Sequence, residues 1–171
     1  MPSARILPSP TNAPRARVVV ADDHPICSQL LPTLLEKIGC EVVGVAYDGE
    51  IALARCEELK PDILLLDIVL PKVGGLEVLQ RIRRRALPIK IILFTGSLQS
   101  EMLREAMVWG VEGCLLKTAP VQEIAEAFQR VRDGQLAFGP EASEMMRKLV
   151  VSQDEAGALS ELETAVLRQT A

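Results

Sequence analysis

The chain has 171 residues, enough for one domain and a tail, and a formal net charge of −4 at pH 7. Hydrophobic residues make up 49% and aromatic residues only 3%, so a buried core must consist mainly of aliphatic side chains. The acidic balance argues against a nucleic-acid or anionic-membrane surface, and no apolar run reaches the ~18 residues that span a bilayer.

The cysteines and the one histidine exclude a metal site of the zinc-finger type. No CxxC pair occurs, and a single histidine leaves no second imidazole ligand. These features favour a reducing compartment, so we expect a cytoplasmic protein. Residues 1–15, which contain four prolines, are predicted to be a disordered arm.

From residue 16 onward, short apolar runs alternate with helical periodicity. The predicted strands are 17–21, 41–46, 62–66, 89–94 and 111–116. The predicted helices lie near 25–38, 49–59, 75–85, 98–109 and 121–133. Pro25 suits a helical first turn, whereas Pro32 should kink or shorten the first helix. Gly39, Gly110 and Gly134 follow helical runs, where a left-handed cap favours glycine.

Five β-α repeats predict an open parallel sheet, whose functional crevice lies beyond the carboxyl ends of its strands. The polar residues at those ends are Asp22, Asp23, Asp67, Thr95 and Lys117. Each has a structural alternative: the aspartates could cap a helix or end a strand, and the threonine and lysine could be a buried hydroxyl and a surface charge. Their joint position at one end of the sheet favours a functional cluster.

The chemistry of this cluster indicates magnesium and phosphoryl transfer. Neighbouring carboxylates need a counter-charge, which a Mg²⁺ ion with oxygen ligands supplies. Asp23 and Asp67 are predicted to bind it directly and Asp22 directly or through water, with the backbone carbonyl of Val69 as a further ligand. A carboxylate can form an aspartyl phosphate, while Lys117 and Mg²⁺ provide positive charge and Thr95 a hydrogen bond.

Four stretches, VVVADDHP, LLLDIVLPKVGG, FTGS and GCLLK, resemble the signature stretches of two-component response-regulator receivers. The resemblance covers residues 16–135. It implies an α/β, flavodoxin-like (CheY-like) sheet of five parallel strands in the order 2-1-3-4-5, with helices on both faces. It also implies Asp67 as the acceptor of a phosphoryl group from a sensor histidine kinase, Asp22 and Asp23 as the metal pair, Thr95 as the switch hydroxyl and Lys117 as the phosphoryl-binding lysine.

The stretches ADDHP and LLKTAPVQEIAEAFQRVRDGQ resemble the NarL/FixJ class, which joins a receiver to a LuxR-type helix-turn-helix. This implies dimerisation on activation and control of transcription. His24 belongs to this pattern and is predicted to shape its loop, not to bind metal. Cys114 departs from the family, because an aromatic switch residue usually stands three positions before the lysine.

The C-terminal part is predicted to be a helix and linker, 136–158, with the helix at 140–151. Residues 159–171 resemble the start of a LuxR-type helix-turn-helix, and a plain amphipathic end helix is the alternative. The chain stops at Ala171 before a recognition helix, so DNA contact is expected only through a C-terminal domain missing from this chain.

The leading hypothesis is a phosphorylation switch that catalyses only its own phosphorylation and dephosphorylation. One alternative is a small aspartyl-phosphate hydrolase, but such enzymes resembling haloacid dehalogenases have a second aspartate where Val69 stands here. The other is a stand-alone or pseudo-receiver interaction module, which the intact acidic cluster disfavours.

Overall fold

The structure, a computed structural model, describes residues 14–152. Its elements in chain order are β1 (Ala16–Ala21), α1 (Pro25–Lys37), β2 (Cys40–Ala46), α2 (Gly49–Leu59), β3 (Ile63–Leu66), α3 (Gly75–Arg84), β4 (Lys90–Thr95), α4 (Ser100–Val108), β5 (Gly113–Leu116), α5 (Val121–Arg132) and β6 (Ala137–Phe138). A further helix, α6, occupies 140–152. Residues 1–13 of the predicted arm (1–15), residues 153–158 of the predicted linker and the predicted helix-turn-helix start at 159–171 lie outside the described residues.

All strands are parallel and form one sheet in the order β2-β1-β3-β4-β5-β6. Alternate residues of β1 face opposite sides: Val19 belongs to the buried cluster that includes residues of α2, α3 and α4, whereas Val18 and Val20 belong to the cluster that includes residues of α1 and α5. Burial on both faces explains why Val, Ile and Leu are the most frequent residues in the central strands. The predicted fold class and the order of the first five strands are confirmed.

The sixth strand was not predicted. Ala137 and Phe138 pair with Gly113 and Cys114 of β5. Two residues are too few to show the alternation that identifies a strand from sequence, so only the structure reveals that the sheet extends to this edge.

The turns that close the helices agree with the predicted caps. Gly39, Gly110 and Gly134 all have positive φ, between 76° and 85°, where a side chain would be strained. Helix α1 continues through Pro32 to Lys37, so the proline does not end it. In the described part of the chain, no helix has the length and apolar character needed to cross a membrane.

Close packing at Gly75 joins α3 to the end of β3. A methyl group on Gly75 would lie 2.1 Å from the carbonyl oxygen of Asp67, which is backbone and has no free rotation to relieve the clash. On Gly74 the nearest atom would be 3.9 Å away. The sequence Gly74–Gly75 therefore contains one position with room for a side chain and one without.

Gly75→Ala is expected to destabilise the chain by about 3 kcal/mol, because the overpacking must displace backbone. Gly74→Ala is the matched control, with an expected loss below ~1 kcal/mol at this helix N-cap. Urea denaturation followed by circular dichroism measures both. Equal stability of the two variants would contradict the packing described.

Candidate functional site

The carboxyl ends of four neighbouring strands bring the predicted residues to one rim. Asp22 follows β1, Asp67 follows β3, Thr95 ends β4 and Lys117 follows β5. Backbone hydrogen bonds extend the ladder past the strands: Asp67 N–H donates to Ala21 O at 2.9 Å, and Lys117 N–H donates to Thr95 O at 2.8 Å. The side chains are therefore held in place by the hydrogen-bonded ladder of the sheet.

Lys117 reaches into the centre of this rim. Its Nζ lies 2.6 Å from Asp67 Oδ2 and 2.8 Å from Asp22 Oδ2. The burial of Lys117 lowers its pKa, but its short contacts with Asp22 and Asp67 and the charges of these carboxylates outweigh burial and set the pKa above its usual value. Lys117 is therefore a cation shared by two carboxylates.

Asp22 is buried, with 2% of its surface exposed. Burial raises its pKa, but the close ion pair with Lys117 and the hydrogen bond from the His24 N–H hold the net pKa below its ordinary value. Despite the short distance to Lys117 Nζ, Asp22 Oδ2 accepts no hydrogen bond of acceptable geometry from residues 14–152. An ionised, buried oxygen without a hydrogen bond is suited to a cation.

Asp67 is equally buried, and both of its oxygens are held. Oδ1 accepts a hydrogen bond from the Val69 N–H at 3.1 Å, and Oδ2 accepts one from Lys117. The Val69 side chain is exposed to solvent. Metal binding by the Val69 carbonyl stays a prediction.

Asp23 completes the acidic group from the edge of the pocket, with 37% of its side chain exposed. Ligand atoms of Asp22, Asp23, His24 and Asp67 all lie within 4.8 Å of one another. Three carboxylates fit Mg²⁺, which prefers oxygen ligands and retains several waters.

Thr95 is fully buried, and its hydroxyl points towards the loop that follows β4. Oγ1 donates to the Ser97 carbonyl at 2.9 Å and accepts from the Ser97 N–H at 3.4 Å. A side chain on the intervening Gly96 would meet nothing within 4 Å, so this position borders open space. The hydroxyl therefore joins the end of β4 to the loop that leads into α4.

An ion pair that was not predicted from the sequence fixes the loop after β3. Asp48 caps α2 through the Ile51 N–H, and this hydrogen bond, followed by that from Lys72, lowers its pKa. Lys72 Nζ lies 2.7 Å from Asp48 Oδ2. Gly49 lies against the Val73 carbonyl, where a methyl group would come within 1.9 Å. The Asp48–Gly49 dipeptide before a helical run was a cap signal, but its lysine partner is distant in sequence.

Comparison with known proteins gives consistent matches. The model of the family described as "Response regulator receiver domain" matches residues 18–129. The response regulator protein VraR of Staphylococcus aureus is 30% identical over 132 residues, which cover 77% of this chain and 63% of VraR. The chain thus spans less than two thirds of the length of this relative.

Two solved structures are similar in fold and sequence. A two-component response regulator of the LuxR family from an Aurantimonas species has a TM-score of 0.75 at 30% identity, covering 80% of this chain and 99% of that one. RcsB of Salmonella enterica serovar Typhimurium, bound to promoter DNA in the presence of the phosphomimetic BeF₃⁻, has a TM-score of 0.74 at 25% identity, covering 81% of this chain and 69% of RcsB.

Proposed function

We propose that this chain, which belongs to the family of response regulator receiver domains, accepts a phosphoryl group from a sensor histidine kinase on Asp67 and signals through it. The observation that carries the proposal is the contact of Lys117 Nζ with Asp67 Oδ2, 2.6 Å long, inside an acidic pocket. A nucleophilic carboxylate, a cation-binding group and a fixed ammonium are the parts that aspartyl phosphorylation requires.

The reaction transfers the phosphoryl group from a phosphohistidine or a small phosphodonor to Asp67. A carboxylate oxygen of Asp67 forms a bond to phosphorus as the bond to the donor's nitrogen or oxygen breaks. Mg²⁺, held by Asp22, Asp23 and Asp67, would supply positive charge to the phosphoryl oxygens. Lys117 is placed to stabilise the same negative charge, since its ammonium already pairs with Asp67.

The experiment that tests this assignment uses BeF₃⁻, which mimics a phosphoryl group on a carboxylate. With Mg²⁺, ¹⁹F NMR should show bound fluorides for wild type and none for Asp67→Asn. Asp48→Asn is the matched control: it changes another buried aspartate, outside the pocket, and should retain the bound signals. Bound fluorides in Asp67→Asn would reject Asp67 as the acceptor.

Mg²⁺ affinity is expected to depend on Asp23. Asp23→Ala removes one of three carboxylates facing the site and should weaken Mg²⁺ binding tenfold or more, because a hard cation is held mainly by charged oxygens. Isothermal titration calorimetry measures this. Glu50→Ala, which also removes an exposed carboxylate but lies on α2, should bind Mg²⁺ like wild type; an equal loss in both variants would place the metal elsewhere.

The proposed output is a change of surface shape. Phosphorylation adds roughly 1.5 to 2 negative charges at the rim, which favour a hydrogen bond from Thr95 and thereby shift residues 98–133, the surface that includes α4, β5 and α5. We propose that this shift controls dimerisation and an output domain that binds DNA, as the promoter-bound RcsB structure suggests by analogy. A cytoplasmic location, a homodimer on activation and the domain limits of 16–135 and 136–158 are parts of the same proposal.

The chain is proposed to act on no substrate other than its own aspartate. The position two residues after Asp67 is Val69, which has no acid–base group to serve an external leaving group. This counts against the aspartyl-phosphate hydrolase alternative.

A further inference from the structure

His24 lies among the carboxylates of the pocket, although its sequence pattern predicts a role in shaping its loop and not in metal binding. Its Nδ1 lies 3.0 Å from Asp22 Oδ1, 3.2 Å from Asp23 Oδ1 and 3.6 Å from Asp67 Oδ2. Adjacent ligands of an octahedral ion at ~2.1 Å lie ~3.0 Å apart. The ring nitrogen is therefore spaced from the carboxylate oxygens as a fellow ligand would be.

The ammonium group of Lys117 lies between the His24 ring and two of the carboxylates. Its Nζ lies 2.9 Å from His24 Nδ1, 2.6 Å from Asp67 Oδ2 and 2.8 Å from Asp22 Oδ2. One nitrogen and two oxygens thus already enclose a positive charge. A metal ion at ~2.1 Å from the same atoms requires their contraction by less than about 1 Å and the withdrawal of the flexible lysine.

A second observation, independent of the histidine, also points to a cation. Asp22 is 98% buried, and its Oδ2 faces this centre without a hydrogen bond. A buried ionised oxygen is costly unless a charge or a donor satisfies it. The ammonium satisfies it only by charge, whereas a metal ion would bind it directly.

The nitrogen and oxygen ligands of the pocket determine which cation would bind more tightly because of His24. Mg²⁺ prefers oxygen and draws little affinity from an imidazole, whereas Co²⁺, Ni²⁺ and Zn²⁺ bind nitrogen well. We propose that His24 extends the acidic pocket into a mixed nitrogen–oxygen site for a borderline divalent cation, such as Zn²⁺, which competes with Mg²⁺ for Asp22, Asp23 and Asp67. This proposal rests on the proposed function in one respect only: Zn²⁺ would use the same carboxylates that are proposed to bind Mg²⁺.

The chain offers a clean readout because His24 is its only histidine. In the untagged chain labelled with ¹⁵N-histidine, Zn²⁺ should shift one imidazole nitrogen strongly, as expected for direct ligation, and Mg²⁺ should shift it little. Calorimetric titration should show Zn²⁺ binding at least tenfold weaker in His24→Ala, with Mg²⁺ affinity within twofold of wild type. Glu50→Ala, which removes an exposed carboxylate outside the pocket, should bind both ions like wild type.

Each other outcome is decisive. Equal Zn²⁺ affinity in wild type and His24→Ala, or an unshifted imidazole resonance at saturation, would overturn the proposal. A tenfold loss of Mg²⁺ affinity in His24→Ala would also overturn it, because His24 would then organise the pocket for every cation. Zn²⁺ binding through His24 in a wild type that binds no Mg²⁺ would contradict the proposed magnesium site and leave this one standing.

Discussion

Replacing Lys117 with methionine is expected to lower the free energy of unfolding by about 3 kcal/mol in a buffer free of divalent cations. The lysine is largely buried, with 14% of its side chain exposed, and pairs with two aspartates that are each 2% exposed. Methionine keeps the apolar stem and removes the charge, which leaves two buried carboxylates without a counter-ion. Guanidinium or urea denaturation in EDTA measures the loss.

Addition of Mg²⁺ to the Lys117→Met variant checks the cause of the expected loss of stability. Mg²⁺ should restore much of the lost stability, up to about 2.7 kcal/mol at a hundred times its Kd, because the metal replaces the missing charge. Lys72→Met is the matched control: that lysine also pairs with an aspartate, Asp48, but is 55% exposed, and its removal should cost far less stability than removal of Lys117. A Lys117→Met variant as stable as wild type in EDTA would contradict the central position of the ammonium.

Thr95→Ala is expected to weaken the effect of phosphorylation on self-association by tenfold or more, while Asp67 still takes up BeF₃⁻. The Thr95 hydroxyl is bonded to the Ser97 carbonyl. We expect it to exchange this partner for the phosphoryl group, which pulls the loop before α4. A hydrogen bond to a charged acceptor contributes about 1.5–3 kcal/mol, and its loss corresponds to roughly 10- to 100-fold in an equilibrium constant.

Cys114→Ala is the comparison for that experiment. Cys114 is fully buried in β5, and burial raises the pKa of its thiol to about 12, so it is a neutral core residue. It has no ring to rotate between two positions. The ratio of dimer constants with and without BeF₃⁻, from sedimentation, should stay within about twofold of wild type, well inside the tenfold that 1.4 kcal/mol represents. Loss of the response in Cys114→Ala and not in Thr95→Ala would reject a route through the threonine.

The positions of the site residues could be predicted from sequence because they depend on strand ends. In a parallel sheet, the carboxyl ends of all strands lie at the same rim. The common location of Asp22, Asp67, Thr95 and Lys117 was therefore predictable from the β-α alternation. The glycine caps were predictable for a similar reason, since positive φ at Gly39 or Gly110 follows from local backbone geometry.

The features that could not be predicted from the sequence depend on side-chain rotation and on contacts between residues that are distant in sequence. Which way the His24 ring turns, and whether the Thr95 hydroxyl bonds to Ser97, is decided by the packed loops. The pairing of Lys72 with Asp48 joins residues 24 positions apart in different loops. The strand β6 is too short to leave a pattern, and pairs only because α5 returns the chain to the edge of β5.

The assignment of Asp67 as the phosphoryl acceptor is tested most directly by mass spectrometry. The mass of the chain is measured after reaction with acetyl phosphate and Mg²⁺. We expect a gain of one phosphoryl group in wild type, its location on the peptide that contains Asp67 after borohydride reduction of the acyl phosphate, and no gain in Asp67→Asn. An unchanged mass gain in Asp67→Asn, or a reduced residue mapped to Asp22 or Asp23, would contradict it.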